Sequence, residues 1–160
     1  MKYLESEFSL SGRRIIVTGA GGLLGRSFSK SLGKAGAELH LLDIDSNALA
    51  ELESSLSSEQ QAANYYDVDI TNSPQITSVI DAVAQSGSIN GLINSAAIDP
   101  KFDLTAASAE RNPTAFSSYS LENWRQSLDV NLTGMFLTTQ AACKHVEQDA
   151  AQDCSLSLIH

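Results

Sequence analysis

The sequence predicts a doubly wound α/β fold, a parallel sheet covered by helices on both faces, and three observations lead there. Short apolar, β-branched runs alternate with amphipathic stretches, joined by brief turns. The runs lack the alternating polar residues of a half-exposed sheet, as expected of strands covered on both sides. A glycine-rich stretch, Thr18-Gly19-Ala20-Gly21-Gly22-Leu23-Leu24-Gly25, joins the first run to the first amphipathic stretch. The 160 residues fit one domain. A chain of that size buries roughly 70% of its unfolded surface.

Arg14 to Gly19 is apolar and β-branched and ends in glycine, so it reads as a buried strand. Gly22 to Gly36 reads as a helix, with Leu23, Leu24, Phe28 and Leu32 as its apolar stripe and Gly36 as its stop. Glu38 to Ile44 is a second strand, and Ser46 is placed to cap a helix running to about Leu56. Asn64 to Ile70 is a third strand. Ser73 is placed as the cap, and Pro74 at the first helical position, of a helix running to about Gln85. Gly91 to Ala97 is a fourth strand. Asp99 to Ser118, with two prolines and many small polar residues, reads as a long inserted loop. Ser120 then caps a long helix from Leu121 to about Glu147, carrying Trp124, Leu128, Leu132, Phe136 and Leu137 and interrupted by Gly134. Ser155 to Ile159 is a fifth strand.

Composition narrows the function classes. Hydrophobic residues make up 42% and charged residues 18%, the balance of a folded domain. A formal net charge of −9 argues against nucleic acid and anionic membrane surfaces as partners. It leaves room for a phosphate ligand held locally by backbone amides. No apolar run is long enough to span a bilayer. The first residues carry Glu5 and Glu7 where a secretory signal would be basic and then apolar, so a cytoplasmic protein is expected. Cys143 and Cys154 are far apart and match no zinc or redox pattern, and reduced thiols are expected. His40, His145 and His160 show no spacing of a metal site or a nucleophile–base pair, so no metal is expected.

The glycines fall at Gly19, Gly22 and Gly25. A turn out of a strand into a helix needs such residues for three reasons: the tight turn, close approach of a diphosphate to the backbone, and close helix–strand packing. The helix behind it offers unpaired amides and a positive dipole end. Asp43 ends the second strand, 18 positions after Gly25. That is near the offset of about 20 residues at which a carboxylate meets the adenosine ribose. Together these predict a Rossmann-type dinucleotide site. Asp43 favours NAD, because a 2′-phosphate would meet it at like charge, and no Lys or Arg stands at positions 20, 21, 23 or 24 to compensate.

On these motifs the sequence resembles the short-chain dehydrogenase/reductase family, from about Leu10 to His160. The turn matches the family's cofactor loop in the spacing of its epimerase-like branch. The commoner reductase spacing would place glycine at position 23, which is Leu here. The resemblance implies cofactor contacts at Gly19, Gly22, Leu24 and Gly25, and at Asp43. Asp69-Ile70-Thr71 resembles the segment that embraces the adenine, with Asp67 as the alternative register. Asn94-Ser95-Ala96-Ala97 resembles the family's Asn-Asn-Ala-Gly, placing Asn94 and Ala96 on the cofactor side; two of its four positions depart, which makes a structural role the safer one. Thr18 and Ser95 read as structural. Asp129 to Phe136 resembles the helix bearing the asparagine of the catalytic tetrad, which would be Asn131, a residue that holds a water in the proton relay. The family buries this helix between subunits, implying a homo-oligomer through residues 121–147.

The family's Tyr-x-x-x-Lys pair is missing. The tyrosines are Tyr3, Tyr65, Tyr66 and Tyr119, and none has lysine four positions on. The resemblance therefore covers the nucleotide-binding portion of a domain incomplete at its C-terminal side. Residues 1–160 are expected to hold NAD, with NADP the weaker candidate, without completing hydride transfer alone. The implied intact activity moves hydride between a nicotinamide and a secondary alcohol or ketone, a small-molecule substrate. Two other readings stay open: a sugar-nucleotide epimerase or dehydratase, from the glycine spacing, and a non-catalytic NAD-binding module.

Overall fold

The computed structural model describes residues 9–98, 119–146 and 155–158. Five strands form one parallel sheet: β1 (Arg14–Thr18), β2 (Glu38–Asp43), β3 (Ala63–Asp67), β4 (Gly91–Asn94) and β5 (Ser155–Leu158). Their order is β3-β2-β1-β4-β5, so the chain winds outward from β1 in both directions. Register is set by pairs such as Val17 with Leu41, Val17 with Ile93 and Ile93 with Ser157. The doubly wound reading is therefore the observed architecture. The expected loop over 99–118, Glu147, Cys154 and Ile159 lie outside the described residues.

Successive residues of β1 feed opposite cores, the period-two rule of a strand. Ile15 and Val17 pack with Leu39, Leu41, Leu49 and Leu52 beneath α1 (Leu23–Lys34) and α2 (Ser46–Ser58). Ile16 packs on the other face with Leu42, Ile76, Ile80 and Leu92, against α3 (Ser73–Gln85) and α5 (Met135–Val146). Both faces being dry explains why these strands read as continuous apolar runs.

Several local expectations need correction. The third and fourth strands end earlier than expected, at Asp67 and Asn94, because the chain beyond them turns away from the ladder. The cap of α2 is Asp45, whose Oδ1 accepts from the Asn47 and Ala48 amides, rather than Ser46. The cap of α3 is Asn72, accepting from the Gln75 amide, so Ser73 is already helical. An Asx residue just upstream took the cap in each case, its shorter reach to the second and third amides suiting it. Ser120 does cap α4 (Leu121–Leu128), accepting from the Asn123 amide.

Two helix faces also differ from their apolar stripes. In α1, Gly25 and Ser29 are buried while Leu23 is 90% exposed, because only small residues let this helix approach the sheet closely. The long helix is not one continuous α-helix. A π-helical segment, Asp129–Gly134, separates α4 from α5. Among the described residues, the buried side from this segment through α5 consists of Gly134, Thr138, Ala141 and Ala142. Trp124, Leu132 and Phe136 remain 50%, 52% and 57% exposed.

Candidate functional site: a nucleotide groove at the carboxyl ends of the strands

At the carboxyl ends of β1 to β4 the loops part around a groove of about 560 Å³. This is where a doubly wound sheet places its ligand, because crossovers leave the central strands in opposite directions and open a crevice. Its lining brings together Gly19, Gly22, Asp43, Asp69, Ile70 and Ala96, residues that spread over 78 positions of sequence. Gly21, Ile44, Asp45, Ala48, Ser95, Ile98, Gln126, Asp129 and Val130 complete much of the wall.

The glycine turn is held from both sides. Gly19 has φ +63, a left-handed conformation that favours glycine, and a Cβ there would lie 2.6 Å from the Ala96 Cα. A Cβ on Gly25 would collide with the Gly19 carbonyl oxygen and come within 2.7 Å of the Ala20 Cα. Gly25 therefore works from behind the groove, as the residue that lets α1 close on β1. Leu24 likewise does not line the groove with its side chain; its amide belongs to the first turn of α1. That turn has no side-chain cap, whereas α2, α3 and α4 are capped by Asp45, Asn72 and Ser120. Its free amides and dipole end are what an anion requires.

Asp43 closes the turn from the β2 side. The Gly21 amide donates to its Oδ2 at 2.8 Å and the Asp45 amide to its Oδ1 at 3.0 Å. A carboxylate offers about four lone-pair sites, so each oxygen keeps capacity for a ribose hydroxyl. Arg26 braces the turn from outside: Nε donates to the Gly21 carbonyl at 2.7 Å, and Nη2 to the Ala48 carbonyl and to Glu51. Among the described lining residues, which include Asp43, Asp45, Asp69 and Asp129, there is no Lys or Arg.

Beyond β3, Asp69 is in the groove wall and Asp67 is not. One Asp69 oxygen accepts from the Thr71 amide at 2.8 Å and hydroxyl at 2.7 Å, fixing the carboxylate in place. At β4, the Thr18 hydroxyl accepts from the Ser95 and Ala96 amides, tying the ends of β1 and β4 together. The Ser95 hydroxyl is buried in the lining with no partner among the described residues. Asn94 points away from the groove: its Nδ2 donates to the Thr139 hydroxyl on α5. Asn131 sits in the π-helical segment and grips both backbone polar groups of one residue, Ile98. It accepts from the Ile98 amide at 2.8 Å and donates to the Ile98 carbonyl at 3.0 Å. Asn131 thus holds the groove wall from behind.

Gly21, Ala48, Gln126 and Asp129 join the lining without having been singled out in the sequence. Gly21 alone carried a signal, as half of a glycine doublet. The other three come from helices whose phase the sequence pattern does not fix. Among the described residues there is no group of three or more His, Cys, Asp or Glu suited to a metal, and no helix long and apolar enough to cross a membrane.

Comparison with known proteins agrees with this architecture. The sequence model of the short chain dehydrogenase family matches residues 13–152. A probable galactose dehydrogenase of Rhizobium meliloti is 30% identical over 147 residues, covering 90% of this chain and 53% of the relative. The chain thus spans about half the length of that relative. Among solved structures, a gluconate 5-dehydrogenase from Burkholderia cenocepacia in complex with NADP and tartrate has a TM-score of 0.79 at 25% identity, covering 97% of this chain and 56% of that one. An NAD+-bound xylitol dehydrogenase has a TM-score of 0.81 at 24% identity, covering 93% and 53%, a likeness of fold. The family's matched region takes in the glycine turn, the strand-end acid and the Asn131 helix alike; this chain belongs to the short chain dehydrogenase family.

Proposed function

We propose that the groove binds NAD, and that the protein is the nucleotide-binding portion of an NAD-dependent oxidoreductase acting on a secondary alcohol or ketone. One observation carries the reading: a single groove presents an uncapped helix start, reached through a glycine turn with no room for side chains, opposite a strand-end carboxylate. The amides of the first turn of α1, with Gly19 and Gly22, would take the diphosphate. Asp43 would accept the adenosine ribose hydroxyls. Asp69 and Ile70 would take the adenine edge and face. The bound nicotinamide is the hydride carrier; the chain's own residues orient it and shield it. Asn131 secures the groove wall through Ile98 and, on the family resemblance, would hold the relay water.

NAD rather than NADP is favoured by charge. A 2′-phosphate would enter a lining with four carboxylates and, among the described residues, no cation, and Arg26 is committed to Gly21, Ala48 and Glu51. The relatives' names include dehydrogenases of galactose, xylitol and gluconate, which supports a polyhydroxylated substrate. Lacking Tyr-x-x-x-Lys, this chain by itself would bind nucleotide without turnover. The exposed stripe of Leu121, Trp124, Leu132 and Phe136 supports a homo-oligomer through the 121–147 helix. A cytoplasmic setting, where the Cys143 thiol stays reduced, completes the reading.

Calorimetric titration with NAD and NADP tests the cofactor assignment. NAD is expected to bind at least tenfold more tightly; equal affinities, or a preference for NADP, would overturn the assignment. Binding of NAD with no reduction in the presence of galactose or xylitol is the expected behaviour of this chain.

A further inference from the structure

Gly134 closes the π-helical segment and is itself buried against Ile70. A Cβ at this position would lie 2.6 Å from Ile70 Cγ1, 2.7 Å from Cδ1 and 3.4 Å from the Ile70 carbonyl carbon. Ile70 is buried in the core cluster with Val68, Ile76 and Leu92, whose packing restrains its side chain on the core side. One turn on along the same helix face, the fully buried Thr138 hydroxyl donates to the Gly134 carbonyl at 2.9 Å. The helix thus meets Ile70 where it has least bulk.

This contact lies between two features of the groove. Ile70 lines it from the β3 side, and Asp129 and Val130, in the same π-helical segment as Gly134, line it from the helix side. The segment also carries Asn131, whose side-chain amide holds the Ile98 N–H and C=O through bonds of 2.8 and 3.0 Å. Hydrogen bonds of that length are lost once donor and acceptor separate by more than about half an ångström further. A methyl group at position 134 that pushed the segment off Ile70 would be felt at both places.

We propose that Gly134 is a positioning residue: its bare Cα seats the π-helical segment on Ile70, and that seat sets both the groove span between Ile70 and Val130 and the two-bond grip of Asn131 on Ile98. The consequence for ligand affinity rests on the NAD reading above; the grip on Ile98 does not. Helix propensity points the opposite way, since alanine is the better helix former. Loss of the grip in a Gly134→Ala chain therefore reports the seat and not the helix.

The test is amide hydrogen exchange by NMR on the full chain, with NAD titration of the same samples. In Gly134→Ala the Ile98 amide should exchange at least tenfold faster, while Ile16 and Leu41 amides keep their wild-type protection. The NAD dissociation constant should rise at least fivefold. Adding Ile70→Ala, which removes both atoms the new methyl would strike, should return much of the Ile98 protection. Ile98 exchange within twofold of wild type in a folded Gly134→Ala chain would overturn the proposal. Should Gly134→Ala not fold, recovery of folding by Ile70→Ala supports the seat, and no recovery overturns it. A wild-type chain that ignores NAD would sink the cofactor reading, yet the Ile98 exchange would still decide this one.

Discussion

The two ends of β2 treat polar groups in opposite ways. At its first residue, Glu38 receives the Arg14 guanidinium through Nε at 3.2 Å and Nη2 at 2.9 Å. Arg14 spends further donors on the Ser86 and Ser88 carbonyls. His40, two residues on, is buried between Glu38 at 3.3 Å and the Tyr66 hydroxyl at 2.9 Å, its ring stacked on Tyr66. A neutral imidazole satisfies both neighbours by donating from Nε2 and accepting at Nδ1. At the last residue, Asp43 takes two amides and keeps lone pairs, beside a helix start that nothing caps. One end consumes its hydrogen-bonding capacity internally, and the other keeps some in reserve. Paired burial serves stability, and unspent capacity at a crevice serves a ligand.

That contrast is breakable, and the largest effect should come from the groove end. Gly25→Ala drives a methyl into the Gly19 carbonyl. The cost should be about 3 kcal/mol in urea unfolding, from overpacking between backbones, with NAD binding lost. Intact affinity in a stable variant would show that α1 need not approach β1 so closely. Next, Asp43→Ala should weaken NAD by about 2 kcal/mol, the worth of charge-assisted hydrogen bonds to a ribose, and narrow the gap to NADP. Calorimetry reads both at once.

At the closed end the pattern should invert. Arg14→Met should cost about 1.5 kcal/mol of stability, since Glu38 is partly exposed and water takes over some of the lost pairing. NAD affinity should not change. A drop in affinity would mean the two ends are coupled through the sheet.

The smallest effect is a dependence on pH. Burial pushes the His40 imidazole below its ordinary value, against the opposing pull of Glu38. The hydrogen bond from Arg14 holds Glu38 below the usual carboxylate range. With the folded state resisting protonation of His40, its contribution is complete above pH 6.5 and falls as the pH drops below that toward the folded value. Glu38 adds stability above pH 4.5 that is lost as the pH falls through its lowered value. Urea midpoints should therefore decline on acidification from pH 7, first through His40. A His40→Gln chain should lose the upper part of that slope, and an unchanged slope would place its origin elsewhere.

Much of this arrangement could be read from residue order. Gly19, Gly22 and Asp43 converge on the groove because a strand, a tight turn and a helix of ordinary length leave little choice where they go. Asp69 and Ala96 follow because each stands just past a strand that must end at the same edge. Asn94 was harder, since one step of alternation along β4 decides whether it faces the groove or α5, and it faces α5. Leu23 and Leu24 read as core only because an apolar stripe cannot show that closeness of approach has replaced bulk with Gly25 and Ser29.

What the residue pattern determined alone is the topology: apolar runs too short for helices, separated by amphipathic helical stretches, admit few arrangements besides a wound parallel sheet. What only the tertiary structure decided is the π-helical segment and everything it carries. No local preference marks Asp129 to Gly134 for a wider turn. It arises where a helix must meet Ile70 at a glycine and still bring Asn131 to the Ile98 peptide, a demand made by distant residues and invisible until they are packed.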